Sequence, residues 1–239
     1  MNLRSLILAF QFLTRLPMPA VDRIEPRDLS RSSLFFPLVG LVIGLVLAGL
    51  MWTILPRGPW LAAAVVLIGW TWVTGALHLD GLGDIADAMG AAHGKPERFF
   101  EVLKDPHAGN FAVVAIALQL MAKLVLLAHM PASDALWPLI IVPAWARWGA
   151  LVWSAMLPAL REGLGHDLGQ SSNIYGIAIW ALILSAASFA FSPALLAALI
   201  AVPAIGLYWR WRLGGITGDG LGASVEVSEA LLLAVVVFH

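Results

Sequence analysis

The sequence predicts an all-α, polytopic integral membrane bundle of about six to seven transmembrane helices, with an N-terminal amphipathic helix beside it. Three observations carry that expectation. Of the 239 residues, 60% are hydrophobic and only 12% are charged, about half the charge of an ordinary soluble domain, where about 25% is usual. Uncharged apolar runs long enough to span a bilayer recur along the chain. The charges are gathered in the segments between those runs. A net charge of −1 gives no reason to expect a nucleic-acid partner, and the absence of cysteine excludes disulfides and thiolate ligands. One membrane-embedded domain is expected over residues 1–239.

In order along the chain, Leu3, Leu6, Ile7, Phe10 and Leu13 recur at helical spacing and predict an amphipathic helix on the membrane or against the bundle. Gln11 and Arg15 interrupt this run and no small-residue cleavage site follows, so no cleavable signal is expected. Pro17 and Pro19 open a charged loop over about 20–33. Leu34 to Leu55 is the first expected span and Trp60 to Leu79 the second, around a turn at Arg57 and Pro59. An acidic cytoplasmic loop is expected over about 80–110. Phe111 to Met130 is the third span, with Lys123 inside it. Ala135 to Leu160 is the fourth, with three prolines and Arg147. After a polar loop, Ile174 to Phe191 and Ala194 to Trp209 are two more. A second polar loop, Arg210 to Ser224, within an acidic region reaching about 229, leads to a last apolar segment of about 14 residues, short for a full crossing.

The basic residues orient the bundle. With the N-terminus inside, eleven of the fourteen lie in inner loops (Arg4, Arg23 and Lys95 among them), only Arg57 lies in an outer loop, and Lys123 and Arg147 lie within spans. By the positive-inside rule the acidic segments then face the cytoplasm, Asp134 excepted. Chemistry-capable residues on one face suit an enzyme better than a channel or carrier.

The first acidic stretch is His78-Leu79-Asp80-Gly81-Leu82-Gly83-Asp84 through Asp87. In a helix, Asp80, Asp84 and Asp87 would share one face. Like charges at that spacing repel, and a hard divalent cation such as Mg²⁺ would remove the repulsion. The plainer reading is a solvated loop with capping aspartates, and Gly81 and Gly83, each costing a helix roughly 1 kcal/mol relative to alanine, favour it. The second stretch, Gly214 to Glu229, carries Asp219, Glu226 and Glu229 behind several glycines that let a backbone approach phosphate. Here the plainer reading is a flexible loop and a helix with acids in its first turns. Lys104 and Asp105 precede the third span as candidate phosphate and metal or proton partners, or as a plain helix end. His78 is either a site residue or an interfacial histidine, while His93 and His107 read as loop histidines. Lys123 and Arg147, each costing about 2.5–3.5 kcal/mol at mid-span, are expected to face the interior and pair with carboxylates or a phosphorylated substrate.

Carboxylates able to hold Mg²⁺, with lysine and arginine nearby, are the parts of a phosphoryl-transfer site. No Walker A loop or GxSxG elbow is present. The chain resembles the cobalamin synthase family, the adenosylcobinamide-GDP ribazoletransferases, along nearly its whole length. The likeness runs through Phe12-Leu13-Thr14-Arg15-Leu16-Pro17, Phe36-Pro37-Leu38-Val39-Gly40, the His78–Asp87 stretch, Lys104-Asp105, and Gly214-Gly215-Ile216-Thr217-Gly218-Asp219 through Glu226 and Glu229. It departs at Gly83, where the family usually has alanine, and at Pro106-His107, where it usually has a Ser-Arg-like pair that bears on a phosphate contact.

The resemblance implies an Mg²⁺-dependent inner-membrane enzyme whose substrates are adenosylcobinamide-GDP and α-ribazole or its 5′-phosphate. By charge and by the side of the membrane they share, and not by the motif match, Asp80, Asp84, Asp87 and Asp219 are the candidate metal ligands. Asp80, Asp84, Asp105 and Glu226 are candidate catalytic groups. Lys104, Arg15, Arg147, His78 and Glu229 are candidate substrate contacts. Membrane lipid is an expected partner, and a second copy of the chain an optional one. Two other classes compete. A CDP-alcohol phosphatidyltransferase shares the logic of acids and metal, but its ordered motif is absent. A transporter would show an inverted repeat and polar groups along the midplane, and only Lys123 and Arg147 answer to that.

Overall fold

A computed structural model of the chain describes residues 3–21, 26–92, 96–105, 107–131, 135–161 and 173–239. Arg23, His93, Lys95, Pro106 and Asp134 lie outside the described residues. Within them the protein is helical throughout its regular structure, and six helices are long and apolar enough to cross a membrane, or seven if one sharply bent pair counts as a span. Helix α1 (Leu3–Leu13) buries Leu8, Ala9, Phe10 and Leu13; of the expected apolar face Phe10 and Leu13 are buried and Leu3 is exposed. Arg4 pairs with Asp28 of α2 (Pro26–Ser33) at 3.0 Å.

The bundle is built on α3 (Phe36–Ile54) and α8 (Leu136–Met156). Their backbones approach closely because Gly40 and Gly44 have no side chain. A Cβ on Gly40 would stand 2.6 Å from the Ala144 Cα, and one on Gly44 2.5 Å from the Ile140 carbonyl oxygen. Small residues one turn apart are how membrane helices gain packing when lipid supplies no hydrophobic drive. Helix α8 is the most buried of the spans. Large apolar side chains such as Trp52, Ile68, Met121, Leu182 and Ile200 instead cover the perimeter, a surface suited only to lipid.

The second expected span ends early. Helix α4 (Pro59–Thr74) stops at Gly75, whose φ of 62° is left-handed. The Gly75 N–H donates to the Trp72 carbonyl (3.1 Å) and the Ala76 N–H to the Thr71 carbonyl (3.0 Å), the paired bonds of a Schellman stop. The chain then turns through 87° into α5 (Leu77–Ala92). Apolar continuity through Leu77 and Leu79 concealed this bend. With α4 crossing, α5 leaves the crossing direction, and its acidic residues are helical where a loop was expected over about 80–110. Helix α6 (Pro96–Val102) follows, then the span α7 (Asn110–Ala128).

Helix α9 (Ile174–Phe191) is capped by the Asn173 side chain, which accepts from the Gly176 N–H at 3.1 Å. A 3₁₀ turn, Pro193–Ala197, leads into α10 (Ala198–Leu213). The last helix, α11 (Gly218–Phe238), corrects two expectations. It runs 21 residues rather than about 14, and it absorbs most of the glycine-rich stretch read as a loop. Thr217 starts it, its hydroxyl accepting from the Gly220 N–H at 3.0 Å. The glycines are tolerated because packing outweighs propensity. A Cβ on Gly81 would meet the Asp219 carbonyl oxygen at 2.8 Å, and one on Gly222 would touch the His78 backbone at 3.5 Å. Helices α5 and α11 therefore cross at glycines.

Candidate active site

That crossing brings the two acidic stretches together. Asp80 and Asp84 ride on α5, and Asp219 sits in the first turn of α11 against the Gly81 backbone. Asp80 is exposed, and Asp84 and Asp219 are half-buried. Partial burial, first, and then the charges of Asp80, Asp219 and Asp87 push the Asp84 carboxyl up to about 6. Asp84 is thus near enough to the other three carboxylates to be repelled by each. Among the described residues, no three His, Asp or Glu side chains already converge on one point in the manner of a finished metal cage. The donor set itself is hard oxygen, and its repulsion on Asp84 is what a divalent cation would relieve.

Asp87 is differently engaged. Its Oδ2 accepts from the Gly109 N–H at 2.5 Å and its Oδ1 from the Ala112 N–H at 2.9 Å. Both are free N–H groups at the start of α7, so Asp87 caps that helix from across the bundle. Gly109 must lack a side chain for this, since a Cβ there would stand 2.6 Å from the Asp87 Oδ1.

The basic residues divide into two sets. Arg15 is exposed, its N–H bonded to the Val73 carbonyl at 2.7 Å and its side chain laid against Gly75 at the bend. Lys104 is exposed. Asp105 beside it accepts from the His107 N–H (3.0 Å) and pairs with the His107 ring (2.7 Å), bonds that hold its carboxyl below the usual range. Arg161 donates to the Leu103 carbonyl at 3.3 Å, and its charge acts on Asp219.

The second set is buried. Lys123 of α7 donates to Glu226 (2.6 Å) and Glu229 (2.5 Å) of α11, and Arg147 of α8 also donates to Glu229. All four side chains are at most 6% exposed. Gln119 adds bonds to the Glu226 carboxylate (3.0 Å) and carbonyl (2.7 Å), and the Trp70 ring lies 4.5 Å from the Lys123 ammonium. The structure thus pairs both mid-span cations with carboxylates. Glu226 and Glu229 sit in this ion cluster, apart from the aspartates. Gln119 escaped the sequence reading, although a polar amide inside an apolar span is itself a signal.

A cavity of about 150 Å³ lies between the two sets. Asp80 and Asp219 line it, as do His78, Arg147 and the apolar side chains of Phe12, Phe36, Leu221 and Val225. Phe12 and Phe36 stack with ring centres 5.9 Å apart.

The chain is similar to known proteins along nearly its whole length. The family profile described as cobalamin-5-phosphate synthase (CobS) matches residues 5–237. A protein of Thiobacillus denitrificans named adenosylcobinamide-GDP ribazoletransferase is 48% identical over 97% of this chain and 95% of its own length. Proteins of the same name from Laribacter hongkongensis (49% identical, 98% of this chain and 97% of the relative) and Pseudomonas aeruginosa (37%, 97% and 96%) are similar along their whole length. No solved structure matches the chain. With its profile match running almost end to end, the chain belongs to the cobalamin-5-phosphate synthase family.

Proposed function

We propose that the protein is an adenosylcobinamide-GDP ribazoletransferase of the inner membrane, with its acidic crossing facing the cytoplasm. A ribose hydroxyl of α-ribazole or its 5′-phosphate attacks the cobinamide-linked phosphorus of adenosylcobinamide-GDP. The new phosphorus–oxygen bond replaces the bond to the departing GMP, and the hydroxyl proton passes to a carboxylate. The product is adenosylcobalamin or its phosphate. The observation that carries the reading is the α5–α11 crossing, where the Asp219 backbone lies against Gly81, the residue after Asp80. The excess of basic residues in the N-terminal and acidic-side loops supports the orientation.

In this reading Asp80, Asp84 and Asp219 hold Mg²⁺. When bound there, the ion supplies neutralisation of the phosphate oxygens. Asp87 orders the start of α7 so that the neighbouring carboxylates keep their places. Arg15, Lys104 and Arg161 attract the pyrophosphate and the departing nucleotide. Of the carboxylates proposed as proton acceptors, Asp105 is held low by His107 and Asp84 is committed to the ion, which relieves the repulsion that raises it.

The test is a transfer assay on purified protein in liposomes. GMP and a ribazole-bearing corrinoid form in equal amounts, EDTA stops both, and Mg²⁺ restores both. Because the Asp84 carboxyl is raised, its charged, ligating form is lost as pH falls through about 6. The Mg²⁺ needed for half-maximal rate therefore rises below that pH and is flat above it. Full activity after chelation would refute the metal assignment.

A further inference from the structure

We propose that the groove between the starts of α3 and α9 is a binding site for one phospholipid with an anionic headgroup, drawn from the leaflet where those two spans begin. The groove is about 740 Å³, within the range of about 300–1,000 Å³ usual for ligand sites. Its polar end carries Arg31, in the last turn of α2, with Asn173 and Tyr175 at the start of α9. Its other end is apolar, formed by Leu38 of α3 and by Ile179 and Ile183 of α9. From Asn173 to Ile183 the helix rises about 15 Å, at about 1.5 Å per residue. That is half of a hydrocarbon core about 30 Å thick, and so one leaflet deep. The two helices are joined near the polar end. A Cβ on Gly176 would stand 2.5 Å from the Leu34 Cδ2, and the Trp180 Nε1–H donates to the Leu34 carbonyl at 2.8 Å. Beyond that joint little covers α9, the least buried of the six spans.

The two ends match an amphiphile. Arg31 is exposed and has no hydrogen-bond or ion-pair partner among the described residues. The acid one turn before it, Asp28, pairs with Arg4 at 3.0 Å, so the charge of Arg31 is left to an outside group. A guanidinium takes phosphate oxygens two at a time, and basic pockets between spans at headgroup depth hold anionic lipid. A zwitterionic headgroup would bring its own cation against Arg31. Tyr175 is exposed at the same depth, where an amphipathic ring is favoured. Deeper in the groove a peptide would leave its backbone N–H and C=O groups unpaired. An acyl chain has none to leave, and seated there it fills the gap and fastens α9 to α3.

Native mass spectrometry of the detergent-purified full chain, titrated with phosphatidylglycerol or phosphatidylcholine of identical chains, tests the site. One phosphatidylglycerol is expected to bind about fivefold more tightly than phosphatidylcholine, the difference one basic residue makes at an anionic surface. Arg31→Gln is expected to erase that preference and the rise in Tm that phosphatidylglycerol gives wild type. Arg212→Gln removes another exposed charge, at the end of α10 and outside the groove lining, and is expected to keep both. Both arginines are exposed, so neither substitution disturbs packing. Ile179→Trp fills the apolar end and is expected to weaken both lipids, while free glycerol phosphate does not compete. Equal affinity for the two lipids, equal losses in Arg31→Gln and Arg212→Gln, unchanged binding in Ile179→Trp, competition by glycerol phosphate, or a dimer in place of the lipid adduct would each overturn the proposal.

Discussion

Asp80→Asn and Asp219→Asn are each expected to lower turnover by about a thousandfold, the effect of losing about 4 kcal/mol of transition-state stabilisation at a metal-assisted phosphoryl transfer. The two residues lie on different helices and meet only because α5 and α11 cross at Gly81, so equal losses point to one shared site. Each substitution also removes a negative charge from a crowded group. Tm is therefore expected to hold or rise. Activity loss with a matching fall in Tm would mean that the aspartates serve the fold. Unimpaired turnover in either variant would remove that residue from the site.

Lys123→Met is expected to give the largest loss of stability. It strips the ammonium from both carboxylates, leaving the buried Glu226 to the neutral Gln119 amide and Glu229 to Arg147. Removing one partner of a buried ion pair costs about 3–5 kcal/mol, which for a chain of this size lowers Tm by about 10 °C. The double variant Lys123→Met/Glu226→Gln restores the charge balance and is expected to recover more than half of that loss, measured by thermal unfolding in detergent. If the double variant melts no higher than the single one, packing around Lys123 and its contact with Trp70 hold these helices together, and charge balance does not.

Much of this could be read from the residues. Uncharged runs marked the spans, because a bilayer tolerates little else, and the family likeness rested on motifs whose aspartates stand at helical spacing. What escaped depends on tertiary contact. The stop at Gly75 lay inside an unbroken apolar run, and only the left-handed φ and its paired hydrogen bonds reveal the turn. The glycine-rich stretch around Asp219 was read as a loop, yet missing side chains at Gly81 and Gly222 are what let α11 lie on α5. The capping role of Asp87 requires Gly109 and Ala112, more than 20 residues away. The partners of Lys123 lie over 100 residues along the chain, beyond the reach of any local spacing rule.

The most direct test of the shared acidic site is metal binding without turnover. Mn²⁺, a paramagnetic stand-in for Mg²⁺, would be titrated into wild type, Asp80→Asn and Asp219→Asn and the free ion counted by electron paramagnetic resonance. The α5–α11 crossing predicts saturable binding in wild type that each single substitution weakens at least tenfold. Binding that survives Asp219→Asn while Asp80→Asn abolishes it would contradict a site built from both helices.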